Sequence, residues 1–132
     1  MRNRVGAIII QNKRILLVST DGSWYWTPGG KIEVGEDAQS TLSRELKEEL
    51  SIVPDEIRLY NKYAVQPGEE VAGYVVQGGD EINYIVSVSG DIKPSAEVKI
   101  ANWYTGAEAM GLTMLESFKS EVLKQLLVDG LL

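Results

Sequence analysis

The order of the predicted elements indicates an α+β fold, a sandwich on a mixed β-sheet rather than a series of alternating βαβ units. Six strand-like runs and two helix-like segments follow one another as β-β-α-β-β-β-β-α. Both helix-like segments carry apolar residues at helical spacing, which separates them from the β-branched runs. The chain has 132 residues, the size of one domain with a single hydrophobic core, so we expect one domain over residues 1–132.

The first predicted element is a β-hairpin. Residues 4–10 and 14–20 are apolar, β-branched runs separated by the polar stretch "QNK". The run at 4–10 is too short for a signal peptide or a membrane span, and charge returns at Lys13. The aromatic stretch "DGSWYWTPGG" then predicts a loop.

The next element is a helix over about residues 37–50. Asp37 is a good N-cap, because its side chain can accept from backbone N–H groups of the first turn. Leu42, Leu46 and Leu50 recur at i, i+4 and i+8 and predict one buried face. Pro54 prevents the helix from continuing.

The second half of the chain predicts four strands and a C-terminal helix. The strands are expected at residues 57–65, 71–77, 82–89 and 98–104, and the amphipathic helix at about 115–128. The stretch "QGGDE" predicts a tight turn between the strands at 71–77 and 82–89.

The composition excludes several classes of function. There are 13 basic and 19 acidic residues, a net charge of −6, which argues against a nucleic acid or an anionic membrane as partner. Cysteine and histidine are both absent, so thiolate zinc sites, disulfides and a Ser-His-Asp triad cannot be built. Proton transfer near neutral pH must therefore use a carboxylate, a lysine, a tyrosine or metal-bound water. We expect a cytoplasmic protein.

Three acids cluster on the predicted helix beside its leucine stripe. At roughly 100° per residue, Glu45, Glu48 and Glu49 share about one third of the helix circumference. One interpretation is a solvated face with salt bridges, since Arg44 and Glu48 are i, i+4 partners. The other is a divalent-cation site, because Mg²⁺ prefers oxygen ligands of this kind.

The same segment carries a spaced motif. Gly30 is followed after five residues by Glu36 and after seven more by "RELKEELSI", Arg44 to Ile52. This resembles the Nudix box, G-x5-E-x7-R-E-U-x-E-E-x-G-U, of MutT-like hydrolases. Eight of the nine defined positions match, and Ser51 replaces the usual glycine. The resemblance implies an α/β/α sandwich that hydrolyses a nucleoside diphosphate linked to another group.

The resemblance also implies roles for the box residues. Glu45, Glu48, Glu49 and the Gly30 carbonyl would bind Mg²⁺, for which Mn²⁺ could substitute, and Glu48 and Glu49 would also take part in catalysis. Arg44 would orient Glu36 or Glu48. Ser51 lies where a helix commonly ends on a left-handed glycine, so we expect it to affect stability rather than chemistry.

Residues outside the box are weaker candidates. Glu97 is a candidate catalytic base or metal ligand, because some compact relatives place a glutamate in a loop at about this point. Its rivals, and its alternative as a solvated loop acid, stay open. The rivals are Glu69, Glu70, Asp80 and Glu81. For substrate binding we predict Lys31 on a phosphate and Trp26 on the base, each with a solvated or packing role as the alternative.

Three functions follow, in order of preference. The first is a nucleoside triphosphate pyrophosphohydrolase that releases a nucleoside monophosphate and pyrophosphate, and the second an ADP-ribose or nucleoside diphosphate sugar pyrophosphatase. The third is a nucleotide-binding regulatory domain without catalysis. The expected partner is a small-molecule nucleotide, with neither nucleic acid nor membrane, and a homodimer is left open.

Overall fold

The structure is a computed structural model that describes residues 2–132. Its strands are β1 (Arg4–Ile8), β2 (Ile10–Gln11), β3 (Arg14–Ser19), β4 (Gly29–Lys31), β5 (Val53–Val65), β6 (Glu70–Val71), β7 (Tyr74–Val75), β8 (Gly79–Ser89) and β9 (Ile100–Tyr104). Its helices are α1 (Ala38–Leu50), α2 (Gly106–Met110) and a C-terminal helix made of α3 (Glu116–Phe118), a π-helical segment (Lys119–Leu123) and α4 (Lys124–Val128).

The strands form a mixed four-stranded sheet, a three-stranded sheet and a small hairpin. The large sheet has the order β4-β1-β8-β5, in which β1 and β8 are parallel and the other pairs antiparallel. The second sheet has the order β2-β3-β9, and β6 pairs with β7. Two apolar cores contain α1 and the C-terminal helix respectively. The predicted α+β sandwich with a mixed sheet is confirmed.

Strand β1 contributes side chains to both cores because successive residues of a strand point to opposite faces. Val5 and Ala7 are buried with the α1 leucines, whereas Ile8 is buried with the C-terminal helix. All three are 0% exposed.

The predicted N-terminal hairpin is correct in place but wrong in extent. The first run breaks after Ile8, and only Ile10 and Gln11 pair with β3, opposite Ile15 and Arg14. The two hairpin-loop residues have positive φ angles, which suit the twist of a two-residue hairpin. The break allows β1 to pair with β4 and β8 in the other sheet.

The predicted strand at 71–77 and the turn at "QGGDE" are both wrong. Val71 and Tyr74 instead face each other in the β6–β7 hairpin, and β8 begins inside the predicted turn, at Gly79. Strand β5 pairs directly with β8, from Val53 to Val65, with two irregularities in register. Residues 66–78 therefore form a long connection between paired strands.

The helices and the last strand agree with prediction more closely. α1 ends at Leu50 and β9 lies within the predicted run at 98–104. The C-terminal helix begins one residue late, and its π-helical segment had no signal in the sequence. Within residues 2–132, no helix combines the length and the apolar character that crossing a bilayer requires.

Candidate active site

Helix α1 presents its acids along the flank of its buried stripe. Its N-cap is Asp37, whose carboxylate accepts from the Ser40 N–H at 2.7 Å. Its leucines are fully buried, which fixes the rotation of the helix about its axis. At its C-terminal end Ser51 is left-handed, with φ 59° and ψ 33°, and its N–H donates to the Lys47 carbonyl at 3.1 Å.

The Arg44 guanidinium binds three carboxylates. It donates two hydrogen bonds to Glu36, from Nε at 2.9 Å and from Nη2 at 3.0 Å. Its Nη1 also donates to Glu45 at 3.0 Å and to Glu48 at 3.3 Å. The bidentate bond to Arg44 lowers the pKa of Glu36 to about 2. Arg44 thus contacts both of the carboxylates predicted for it.

Gly30 leaves the space that the Glu45 carboxylate occupies. A β-carbon added at Gly30 would lie 2.5 Å from Cδ and Oε1 of Glu45. A side chain at residue 30 would displace the flexible end of Glu45, so the Glu45 carboxylate can lie beside β4 only because residue 30 is glycine. Gly30 and the Glu45 carboxylate, two of the groups that the resemblance assigns to one cation, therefore lie side by side.

Glu49 is held by the backbone of β4. The Gly29 N–H donates to Oε1 of Glu49 at 3.1 Å. Burial raises the pKa of Glu49 to about 7, against the lowering effects of that hydrogen bond and of the Arg4 charge, while the charges of Glu45 and Glu97 raise it further. Burial likewise raises the pKa of Glu45.

These two carboxylates fit a divalent cation by their chemistry. Charging a buried carboxylate is unfavourable unless a positive charge compensates for it, and hard oxygen ligands favour Mg²⁺ or Mn²⁺. Among residues 2–132, no three acids are already arranged as the ligands of one metal ion. The contacts explain this arrangement, because Glu45 and Glu48 turn to Arg44 while Glu49 turns to Gly29.

The acids of α1 border a cleft of about 630 Å³, and we call the part lined by Glu45, Glu49 and Glu97 its acidic end, since the charges of Glu45 and Glu97 both act on Glu49. Glu45 and Glu49 line it, whereas Glu48 is exposed on α1 beside it. Its other lining residues include basic groups and aromatic rings. They are Arg2, Arg4 and Lys31 among the former and Trp24, Tyr25, Trp26, Tyr63, Tyr74 and Phe118 among the latter. One cleft thus joins an acidic region to an aromatic one.

Glu97 lies in the same cleft, on an exposed loop that packs against the end of α1. The Ser95 N–H donates to the Glu49 carbonyl at 2.9 Å, and the Lys93 N–H donates to the Leu50 carbonyl at 2.9 Å. These bonds anchor the loop beside the carboxylates.

The rivals of Glu97 are less well placed. Asp80 and Glu81 also line the cleft but are paired, with Lys62 and Arg4. Glu69 accepts from the Ser117 backbone and hydroxyl, and neither Glu69 nor Glu70 is among the lining residues. The structure therefore brings Glu97, rather than Glu69 or Glu70, to the acidic end.

The two predicted substrate-binding residues also line the cleft. Lys31 is exposed, and Trp26 is half-buried and packs against the α1 core. Trp24 and Tyr74 line the cleft beside Trp26. The ring centroid of Trp24 lies 4.5 Å from that of Trp26 and 6.2 Å from that of Tyr74. The aromatic stretch "SWYW" indicated the tryptophans as candidate site residues, but no pattern in the sequence predicted that the β6–β7 turn would bring Tyr74 close to them.

The fold is an α+β sandwich in which the acidic helix α1 lies against the glycine-containing strand β4. The family model for the NUDIX domain matches residues 1–126. The chain belongs to the NUDIX family, and the assignment made from the box is confirmed.

Individual relatives agree with this family. An ADP-ribose pyrophosphatase of Methanocaldococcus jannaschii is 29% identical over 105 residues, which are 76% of this chain and 59% of that protein. The chain thus spans about three fifths of the length of that curated relative.

Solved structures match the fold over most of both chains. The solution structure of the E. coli ORF135 protein has a TM-score of 0.74 at 24% identity, covering 98% of this chain and 92% of that one. The MutT protein of Bacillus halodurans has a TM-score of 0.77 at 21% identity, covering 94% and 80%. The NUDIX match supports the prediction of a hydrolase, and these neighbours support the fold.

Proposed function

We propose that this chain is a divalent-metal-dependent nucleoside triphosphate pyrophosphohydrolase that releases a nucleoside monophosphate and pyrophosphate. The observation that carries this proposal is that one cleft of about 630 Å³ is lined both by the carboxylates Glu45, Glu49 and Glu97 and by the paired rings of Trp24 and Trp26. A cleft of this volume can enclose a nucleotide, with its phosphates towards the acids and its base towards the rings.

The cation would be held by Glu45, Glu48, Glu49 and the Gly30 carbonyl. Bound there, Mg²⁺ or Mn²⁺ supplies charge neutralisation of the phosphate oxygens and lowers the pKa of water. The chain's own contribution is placement. Gly30 and Gly29 fix Glu45 and Glu49, as the contacts above describe, and Arg44 holds Glu45 and Glu48 on one side of the helix.

The proton of the attacking water is accepted by a carboxylate at the acidic end, for which Glu97 is our candidate. It lies on a loop that is hydrogen-bonded to the carbonyls of Glu49 and Leu50, so its position is tied to the end of the helix that carries the proposed cation ligands. Lys31, exposed on β4, would meet a phosphate, and Trp26 would contact the base. The enzyme would act on small nucleotides in the cytoplasm.

A second candidate is hydrolysis of ADP-ribose, favoured by the name of the relative from Methanocaldococcus jannaschii. A nucleotide-binding domain without catalysis is a third candidate, and the presence of all three box carboxylates argues against it.

A substrate screen decides among the three. Purified protein with Mg²⁺ is incubated with nucleoside triphosphates, ADP-ribose and nucleoside diphosphate sugars, and the products are resolved by anion-exchange chromatography. We expect a nucleoside monophosphate and pyrophosphate from a triphosphate. Faster release of AMP and ribose phosphate from ADP-ribose would replace the first candidate with the second. Binding without turnover of any substrate would favour the third.

A further inference from the structure

The β6–β7 hairpin brings one aromatic ring to the cleft from outside both larger sheets. It lies within residues 66–78, which connect the paired strands β5 and β8. Val71 and Tyr74 face each other across a two-residue turn in which Ala72 has φ 48° and Gly73 has φ 84°. Two consecutive residues with positive φ form the tight turn of a two-residue hairpin. Tyr74 is therefore the first residue after the turn, at the tip of the hairpin.

The hairpin is fixed at its base and free at its tip. We call residues 68–76 the flap. Within residues 2–132, the hydrogen bonds that join the flap to the rest of the chain are those from the N–H and the hydroxyl of Ser117 to Oε2 of Glu69, at 3.4 and 3.1 Å. Val71 is buried but belongs to neither of the two apolar cores. Because a two-stranded hairpin is marginally stable by itself, the tip can move at little cost in free energy.

Tyr74 offers an aromatic surface that the protein itself leaves uncovered. It lines the cleft and is nevertheless 58% exposed. Its ring is inclined at 40° to that of Trp24, with the centroids 6.2 Å apart. A ligand that covered the Tyr74 ring would bury apolar area that now faces water, which stabilises binding.

The two ring pairs in the cleft differ in their spacing. The centroids of Trp24 and Trp26 are 4.5 Å apart, which leaves no room for a third ring between them. A base between two rings contacts each face at about 3.5 Å, so the outer rings lie roughly 7 Å apart. Trp24 and Tyr74, at 6.2 Å, fall short of this separation by about 1 Å. An outward movement of the flap tip by that amount would open a gap as thick as one base.

We propose that Tyr74 is a substrate-binding residue and that the nucleotide base lies between the rings of Tyr74 and Trp24. This deepens the proposed function and rests on it, since the ligand is taken to be a nucleotide. Trp24 is the fixed wall, because its carbonyl accepts from the Ser19 hydroxyl at 2.6 Å and its ring contacts Trp26, which packs against the α1 core. Tyr74 is the movable wall.

The chemistry of stacking defines the class of ligand. Every base has a π-face, so a gap between two aromatic rings holds a base without selecting one. The site therefore takes ligands that join an aromatic base to a phosphate chain. A phosphate chain without a base gains nothing from Tyr74.

The test compares ligands with and without a base. The α,β-methylene analogues of ATP, GTP, CTP and UTP, which resist cleavage at the α–β bridge, and inorganic tripolyphosphate are titrated with Mg²⁺ into the intact protein by calorimetry. Tyr74→Leu keeps an apolar side chain without a π-face, and we expect it to weaken the tightest nucleotide analogue by ~5- to 100-fold. Tyr74→Phe keeps the π-face and should stay within about threefold of the parent. Tripolyphosphate should bind the parent and Tyr74→Leu equally.

Val75→Ala is the matched control. Val75 follows Tyr74 on the flap and is 64% exposed, but it does not line the cleft, so the change should leave every affinity unaltered. A Tyr74→Leu variant that binds the nucleotide analogues as tightly as the parent overturns the proposal. A variant that weakens tripolyphosphate as much as the nucleotides also overturns it, because the flap would then act on the phosphates or on the fold. Equal losses in Tyr74→Leu and Tyr74→Phe overturn it as well.

A crystal structure with the tightest analogue shows the movement of the flap directly. We expect the base between residues 24 and 74, with the centroids of the two rings roughly 7 Å apart. A base bound elsewhere in the cleft, with Tyr74 still 6.2 Å from Trp24, would refute the proposal.

The contact with the base and the proposed reaction can fail separately. Hydrolysis of triphosphates with a KM that Tyr74→Leu leaves unchanged would keep the pyrophosphohydrolase and refute the role of Tyr74. Nucleotide binding that depends on Tyr74, without hydrolysis of any triphosphate, would establish the contact with the base and refute the proposed reaction.

Discussion

The Gly29 N–H donates to Oε1 of Glu49 at 3.1 Å, and this neutral donor does not offset the burial of the carboxylate. The pKa of Glu49 is raised to about 7, from an ordinary value of 4.5, because desolvation outweighs the hydrogen bond and the Arg4 charge. In the metal-free protein Glu49 is therefore a destabilising charge above neutral pH.

The first prediction concerns pH and metal-free stability. Because the folded protein binds a proton at Glu49 more tightly than the unfolded chain, stability falls as pH rises from about 4.5 to about 7. Glu49→Gln cannot lose a proton, so in chelator we expect it to exceed the parent in stability at pH 8 by on the order of 1–3 kcal/mol. The two should be similar at pH 4. Urea denaturation at each pH measures the difference, and a gap that does not widen with pH would contradict the burial argument.

The second prediction concerns the cation. We expect excess chelator to abolish turnover and Mg²⁺ or Mn²⁺ to restore it, since the clustered acids otherwise repel an anionic substrate. Mg²⁺ should also raise the melting temperature of the parent at pH 8, an effect that Glu45→Gln should weaken and Glu121→Gln, an exposed acid outside the cleft, should not. Full turnover in chelator would refute the metal mechanism.

The third prediction tests whether turnover depends on the absence of a side chain at residue 30. In Gly30→Ala the added methyl group meets the end of the flexible Glu45 side chain, 2.5 Å away, so that the carboxylate must move while the backbone stays in place. We expect turnover to fall about 10- to 100-fold, with little change in melting temperature. Gly111→Ala, whose nearest contact would be an ordinary 3.5 Å, is the control. Unchanged turnover in Gly30→Ala would show that Glu45 need not lie where the structure places it.

The fourth prediction concerns the end of α1. Ser51 has φ 59°, a conformation that costs residues other than glycine roughly 1–2 kcal/mol. Glycine relieves this strain, but its greater entropy in the unfolded chain offsets part of the gain. We therefore expect Ser51→Gly to raise the free energy of unfolding by a net ~0.5–1 kcal/mol and the melting temperature by roughly 2–4 °C, without changing turnover. Ser51→Ala keeps the strain and should give no gain. Equal melting temperatures for the glycine and alanine variants would mean that the backbone at residue 51 is unstrained.

The fifth prediction tests the proton acceptor. If Glu97 is the base, Glu97→Gln should lower kcat by ~10²–10⁴-fold while leaving the melting temperature and Mg²⁺ binding close to those of the parent. Glu48→Gln should cost at least as much and should also weaken Mg²⁺ binding. A Glu97→Gln enzyme within a few-fold of the parent would move the base to the box helix or to Asp80 or Glu81, the rivals that line the cleft.

Local signals predicted α1 and the box well, because a helix and its caps depend on residues a few positions apart. Asp37, the leucine stripe and Ser51 all lie where their spacing places them. The contact of Arg4 with Glu81 had no such signal, since the two are 77 positions apart and meet only through the parallel pairing of β1 with β8. The β6–β7 turn was missed for a different reason. Ala72 adopts φ 48°, a left-handed conformation that an alanine in the sequence does not predict.

Strand β1 has a consequence for how this chain can vary in length. Its alternate residues serve two cores, and Arg4 reaches the cleft from the same strand. Inserting or deleting one residue within β1 would exchange the two faces, sending Val5 and Ala7 into the wrong core and turning the guanidinium away from the cleft. Substitutions in β1 can change the cores and the lining of the cleft separately, whereas a change of length there must alter both at once.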